Sequence, residues 1–336
     1  MNVLVTGGMG YIGSHTVVSL IENGHDVVIV DNLSNSKISV LDRLEQITKK
    51  IIPFEKVDLL DIESLNEVFT RYTFDCVIHF AAFKAVGESQ EKPLEYYKNN
   101  IDGLLNVLFC MRKHNVFKLV FSSSACVYGT PDLCPIPETA AIRPQNVYGR
   151  TKTICEDILK DTASADNRFS FAILRYFNPI GAHESGLIGE EPNGIPNNLM
   201  PYITQVAAGI RDTLTVFGDD YPTDDGTGVR DYIHVCDLAE GHVAVLKWLD
   251  NNKGYCVYNL GCGRGYSVLE LIHAFEKVNN IKVNYKIGPR RSGDAATCFS
   301  DPSKANKDLG WKANKNIEDM CRDSWRWECF ARSAKL

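Results

Sequence analysis

Tyr148 and Lys152 stand four residues apart in the stretch YGRTK, residues 148–152. On a helix that spacing puts both side chains on one face, one turn apart. A tyrosine so placed becomes a proton acceptor if the ammonium beside it favours the phenolate. Free tyrosine has a pKa near 10, so service as a base around pH 7 needs a drop of roughly three units, about 4 kcal/mol. A unit positive charge at ~4 Å in an effective dielectric of ~20 supplies about that much. Chance competes with this reading: 14 tyrosines and 21 lysines among 336 residues give about one such pair by accident. The pair takes its meaning from its surroundings.

Upstream, Gly7, Gly10 and Gly13 in VLVTGGMGYIGSH lie directly between the first apolar run and the helical pattern after it. The first glycine of such a set permits a tight turn, the second lets backbone approach a pyrophosphate, and the third lets helix pack close to strand. Open amides at the helix start then hold the anion. Asp31 closes the second apolar run. A carboxylate there accepts hydrogen bonds from both adenosine ribose hydroxyls and repels a 2′-phosphate, which favours NAD over NADP. At the end of another apolar run, FSSSA (121–125) offers three successive hydroxyls. Spacing alone does not separate Ser122, Ser123 and Ser124.

The elements that carry these groups alternate. Apolar runs at 2–7, 25–32, 51–61, 74–82, 117–125 and 169–181 read as strands, each followed by a helical pattern such as 13–24 after the first. Continuous apolar strands separated by helices require a parallel sheet covered on both faces. From Pro179 the texture changes to long Gly/Pro/Asp-rich loops at 181–202 and 217–232, which are binding or lid segments when ordered. The stretch 230–249 reads as a strand and helix returning to the first half. The expected organisation is a doubly wound domain over 1–178 and a smaller α/β domain over 179–336.

Composition narrows the class. Hydrophobic content of 44% and charged content of 23% are those of a soluble globular chain, and a net charge of -6 gives no basic footprint for nucleic acid. The 11 cysteines are odd in number and form no CxxC pair, which points to reduced thiols rather than disulfides or a zinc site. No apolar run reaches the ~18 residues of a membrane helix, and MNVLVTGGMGYIG lacks the order of a signal peptide. A cytoplasmic enzyme without metal is expected.

The glycine spacing is GxxGxxG, which resembles the extended short-chain dehydrogenase/reductase family. Within it, the segments 80–100, SSSACVYG (122–129), YGRTK, RYFNPIGAH (175–183), GIPNNLMPY (194–202) and DYPTDDGTGVRDYIHVCDLA (220–239) are similar, in the same order, to those of its UDP-hexose 4-epimerase group. Departures are small: Met9, Ala82, Cys126 and Val147 replace residues common at those positions, and none replaces a reacting group.

The resemblance implies a Rossmann-type fold and NAD-dependent inversion at C4 of a UDP-hexose through a 4-keto sugar. Tyr148 would be the base, Lys152 would tune it and hold the cofactor ribose, and Ser124 would orient and relay the 4-hydroxyl proton. NAD would lie against Gly7, Gly10, Tyr11, Ile12, Gly13, Asp31, Asn32, Leu33, Asp58, Leu59, Phe80, Ala81, Ala82, Lys84, Asn99, Lys152 and Phe177. The UDP-sugar would meet Asn178, Asn198, Leu199, Val216, Phe217, Arg230, Arg291 and Asp294 besides Ser124 and Tyr148. Cys298 would border the sugar, where a bulky tyrosine goes with plain hexoses and a small residue leaves room for a 2-acetamido group. Helices near 94–114 and 149–162 would pair two copies as a homodimer. His79 and His234 read as core histidines, and Trp325 and Trp327 as helix packing.

Two other functions share part of this pattern. A sugar-nucleotide 4,6-dehydratase needs an extra acid and base, yet Ala125 and Cys126 follow Ser124. A non-catalytic NAD-binding regulator would dispense with the serine, tyrosine and lysine, and all three are present.

Overall fold

A computed structural model describes residues 1–191, 196, 198–291 and 294–333. The strands of the first half are β1 (Asn2–Thr6), β2 (Asp26–Val30), β3 (Phe54–Glu55), β4 (Cys76–His79), β5 (Lys118–Ser124) and β6 (Ser170–Tyr176). They are joined through helices α1 (Tyr11–Glu22), α2 (Ser39–Thr48), α3 (Ile62–Arg71), α4 (Val86–Glu91), α5 (Pro93–Tyr97), α6 (Gly103–Lys113) and α7 (Val147–Ala165). Beyond them lie β7 (Asn178–Ile180), α8 (Leu199–Ala207), β8 (Leu214–Phe217), β9 (Val229–Arg230), β10 (Tyr232–His234), α9 (Val235–Asn251) and β11 (Gly254–Leu260). The chain ends with β12 (Tyr266–Ser267), α10 (Val268–Asn279), β13 (Tyr285–Gly288), β14 (Thr297–Cys298), α11 (Ser303–Leu309) and α12 (Ile317–Ser333).

The main sheet runs in the order β11-β6-β5-β4-β1-β2-β3, and all its pairings are parallel. Its faces are apolar on alternate residues. Val3, Val5 and Ile29 join a core with residues of α1 and α9, while Leu4, Val28 and Val30 join one with α3, α6 and α7. This is the doubly wound Rossmann arrangement the sequence implies. The chain steps from β1 to β2 and β3 on one side and then crosses to β4 on the other. That crossing opens a crevice at the carboxyl ends of the strands, where the sequence motifs lie.

Three elements differ from the sequence expectation. The run 51–61 yields only β3, because Pro53 has no amide to donate and the strand is an edge. The run 169–181 splits at Phe177, so that β6 stays in the main sheet and β7 pairs with β10 in a separate ribbon. The expected return near 230–249 is therefore divided: β10 leaves the main sheet, α9 packs on α1, and β11 supplies the returning strand. The second lobe has its own core, centred on Met200, Ile203, Leu271, Ile272 and Phe275.

Candidate active site

Asn146 begins the site by capping α7, its side-chain oxygen accepting the Gly149 amide at 2.7 Å. Tyr148 thus lies in the first turn and Lys152 one turn on. Lys152 is buried, and its ammonium donates to the Ser122 carbonyl at 2.6 Å. It also lies 4.9 Å from the Phe121 ring centre and 5.9 Å from that of Tyr148. Burial pulls the lysine down to about 8, against the thiol of Cys155 and the carboxylate of Glu156, which raise it.

The three serines, equivalent in the sequence, separate here. The Ser122 carbonyl takes the Lys152 ammonium. The Ser123 hydroxyl donates to Glu156 Oε1 at 2.6 Å. Ser124 remains half-buried at the strand end, its oxygen accepting the Cys126 amide at 3.2 Å. Burial pushes the Tyr148 phenol well above its ordinary value, Cys126 adds to the rise, and a hydrogen bond with Ser124 pulls it down. Of the three serines, Ser124 is the one that acts on the tyrosine. In the sequence arithmetic the charge of Lys152 supplies about the full drop, whereas desolvation of the phenol opposes it. A further positive charge beside the ring is needed before Tyr148 becomes a base near neutrality.

The glycine turn fits a dinucleotide. Gly7 has φ +71°, and a Cβ there would come within 2.7 Å of the Ala81 amide nitrogen across the crevice. At Gly13 a Cβ would meet the Gly7 carbonyl at 2.2 Å, so strand and helix touch only because neither residue has a side chain. Gly10 is the N-cap of α1, and no side chain caps that turn. The first amides, from Tyr11 on, are left for an anion. Asp31 is buried after β2, accepting from the amides of Met9 (3.1 Å) and Leu33 (2.8 Å) and from Ser36 Oγ (2.9 Å). These bonds hold the carboxylate and stabilise Leu33 at φ +60°. Asn32 donates to Asp58 at 3.1 Å, Leu59 is buried beside them, and Phe80, Ala81, Ala82 and Lys84 follow β4. Asn99 lies in a π-helical turn at Lys98–Asp102. Phe177 is buried with Val127, Tyr128 and Ile136. Each of these groups except Asn99 follows the carboxyl end of a main-sheet strand or opens α1.

The residues expected to meet the UDP-sugar come mostly from the second half. Arg230 on β9 donates to the carbonyls of Val229 and Ala295, both at 2.9 Å, and stands 3.6 Å from Asp294. Arg291 stacks over Phe217, 4.0 Å from the ring centre, and Val216 beneath is buried. Asn178 is exposed on β7. Asn198 caps α8 by position and donates to Glu190 at 2.6 Å, while Leu199 packs on the second core. Pro192, Asn193, Gly194, Ile195 and Asn197, within or before the predicted GIPNNLMPY segment, lie outside the described residues, as do Ser292 and Gly293.

Cys298 on β14 pairs with Arg230 and packs against the cluster of Tyr128, Ile136 and Phe177. Its thiol is raised to about 12 by burial, with Arg230 opposing and Cys134 and Cys126 adding to the rise. Cys126 acts on Tyr148 as well as on Cys298. The expected core histidines are buried: His79 pairs with Thr6 Oγ1 at 2.8 Å and His234 with Asp323 at 3.3 Å. Trp327 packs against Gly189 and donates to the Glu190 carbonyl at 3.0 Å.

Sequence reasoning missed Asn100 and Glu156. Asn100 is buried, takes the Phe83 amide at 2.8 Å, and donates to the Phe83 carbonyl (3.1 Å) and Thr151 (3.0 Å), tying the loop after β4 to α7. The signal for Glu156 was present: it continues the Tyr148, Lys152 face by one more turn.

Residues 4–324 match the family model described as GDP-mannose 4,6 dehydratase. A curated relative, the UDP-glucose 4-epimerase of Bacillus subtilis, is 56% identical over 98% of this chain and 97% of its own. A solved UDP-glucose 4-epimerase from Stenotrophomonas maltophila, with bound NAD and formylated UDP-arabinopyranose, is 52% identical over 99% of both chains with a TM-score of 0.98. The UDP-Glc/GlcNAc 4-epimerase of Campylobacter jejuni is 37% identical over 98% of this chain and 99% of that one, with a TM-score of 0.86.

Proposed function

The chain belongs to the UDP-glucose 4-epimerases, within the sugar-nucleotide family whose model carries the 4,6-dehydratase name, and from that premise we propose that it inverts C4 of UDP-galactose and UDP-glucose. The observation that carries the reading is that α7 brings Lys152 onto the Ser122 carbonyl and 5.9 Å from the Tyr148 ring centre, at the end of the strand that Ser124 closes. NAD, which the glycine turn and Asp31 would hold, would supply a reversible hydride acceptor that carries a positive charge. Tyr148 takes the proton of the sugar 4-hydroxyl, directly or through Ser124, and returns it after the 4-keto sugar has turned its other face. Lys152, fixed on the Ser122 carbonyl, keeps a cation one helical turn from the base and holds the cofactor ribose. Arg230 and Arg291 anchor the diphosphate through forked donors, so that the sugar stays free to turn. Dehydration is disfavoured because Ala125 and Cys126 give no carboxyl acid or base after Ser124.

The cofactor half spans residues 1–178 with α9 and β11 added, and the remainder of 179–336 is the UDP-sugar half. Exposed Leu94, Phe109 and Ile154 on α5, α6 and α7 support a homodimer through those helices. Eleven free thiols support a reducing, cytoplasmic setting, and among the described residues no helix is long and apolar enough to cross a membrane.

Cys298 leaves the sugar pocket without the bulk of a tyrosine, and this supports acceptance of UDP-GalNAc and UDP-GlcNAc as well. The deciding experiment incubates purified protein with UDP-galactose and with UDP-GalNAc. Each 4-epimer is expected without net NADH, and Cys298→Tyr should abolish only the N-acetyl activity. A 4-keto-6-deoxy product, or no product from protein with bound NAD, overturns the proposal.

A further inference from the structure

Glu156 lies one turn beyond Lys152 on α7, and the proton chemistry leaves it without a task. Its side chain is 1% exposed. Arg175 Nε donates to Oε1 at 2.9 Å and Nη2 to Oε2 at 2.6 Å, while Ser123 Oγ donates to Oε1 at 2.6 Å. Burial pushes the Glu156 carboxyl up, but the bonds and charge of Arg175 and the Ser123 hydroxyl outweigh it and leave the group below the usual carboxylate range. A buried ion pair is often no more stabilising than apolar side chains of the same shape. Its presence behind a catalytic strand end calls for a use other than stability.

Geometry supplies one. The α7 helix grips β5 at two successive residues, through Lys152 on the Ser122 carbonyl and Glu156 on the Ser123 hydroxyl. Ser124 is the next residue. The network continues outward: Arg175 Nη1 donates to Tyr128 Oη at 2.9 Å, and Tyr128 donates to Asn259 Oδ1 at 2.7 Å. Asn259 Nδ2 donates to the Ile136 carbonyl at 2.8 Å, and the Ile136 amide donates to the Phe299 carbonyl at 2.9 Å. Phe299 is the neighbour of Cys298. Hydrogen bonds between buried groups thus connect the catalytic turn to the sugar wall.

We propose that Glu156 and Arg175 are positioning residues for the epimerisation: they clamp Ser123 so that Ser124 meets Tyr148, and through Tyr128 and Asn259 they hold that turn in register with the wall at Cys298. The inference rests on the reaction proposed above. A hydroxyl that relays a proton must stay within hydrogen-bond reach of both base and sugar, and a strand end is free to fray unless its side chains are tied.

Ser123→Ala tests the clamp while leaving the Glu156–Arg175 pair in place. The NAD-loaded variant loses one buried hydrogen bond to a carboxylate, so its melting temperature should fall by a few degrees at most, while KM for UDP-galactose holds within about twofold. Its kcat should fall by roughly ten- to a hundredfold, since about 1 Å of misplacement costs up to the larger figure. Reduction of the bound NAD by sugar, followed by absorbance in a single turnover, should slow by the same factor. Glu156→Gln should lower kcat further; if it does not fold, Ser123→Ala decides. An unchanged kcat in Ser123→Ala, or a loss shared between kcat and KM with a larger fall in melting temperature, overturns the positioning role. Wild-type protein inactive on UDP-galactose would instead overturn the reaction itself, so the two failures are distinguishable.

Discussion

The two walls of the crevice are built differently. On the β5–α7 side, Lys152 and Glu156 are buried, and their hydrogen bonds run to backbone or to other buried groups at 2.6–2.9 Å. On the second-lobe side, Asn178, Asn198, Arg291 and Asp294 are exposed and project from loops and strand ends. Proton transfer demands fixed distances and a dry surrounding, in which small displacements are costly. Anchoring a diphosphate demands charge and reach, and must be undone at every turnover. On the proposed roles, rigidity belongs to the wall that reacts and adaptability to the wall that holds.

Substitution on each wall should therefore move a different kinetic constant. Tyr148→Phe is expected to lower kcat by about a thousandfold, within the range for removal of a general base, with KM little changed and NAD still bound. Arg291→Ala should raise KM by about tenfold, the value of a hydrogen bond to a charged group, while kcat stays near wild type. Steady-state kinetics with UDP-galactose measure both. A large kcat loss in Arg291→Ala would erase the contrast, because it would place the second lobe in the chemistry.

The same contrast governs what the sequence discloses. The glycine turn and Asp31 are legible because each residue type is forced locally: only glycine admits φ +71° at Gly7 with the Ala81 backbone 2.7 Å from any Cβ. The alternation of strands and helices is legible because a sheet buried on both faces needs unbroken apolar runs. The choice of Ser124 among three serines was not local. The resemblance made it; in the structure Glu156 and Lys152, from a helix that starts 23 residues further on at Val147, engage the Ser123 hydroxyl and the Ser122 carbonyl. Likewise β10 and β11 could not be told apart as returning strands, since both are short apolar runs and only pairing with β6 or β7 separates them. Arg230 and Arg291 gained an expected role through resemblance alone, and Cys298 came to lie beside Arg230 only when β14 paired with β9.

The smallest expected effects test whether the walls are mechanically separate. Asn146 caps α7 through the Gly149 amide at 2.7 Å, and Ser267 caps α10 through the Glu270 amide at 3.0 Å in a reciprocal box with Glu270. Replacing either by alanine removes a cap and should cost about 1 kcal/mol of stability, with a further loss in Ser267→Ala because its hydroxyl also donates to Asp225, both read as shifts in denaturant midpoint. The kinetic outcomes should diverge. Loosening the first turn of α7 loosens Tyr148 itself, so Asn146→Ala should lower kcat by about two- to fivefold at constant KM, a loss of under about 1 kcal/mol in the barrier. Ser267 sits on β12, paired with Val229 beside Arg230 on β9, so Ser267→Ala should instead raise KM by a similar factor and spare kcat. Opposite kinetic signatures would mean that a helix cap does different service on each wall. Identical signatures would mean that the crevice flexes as one body.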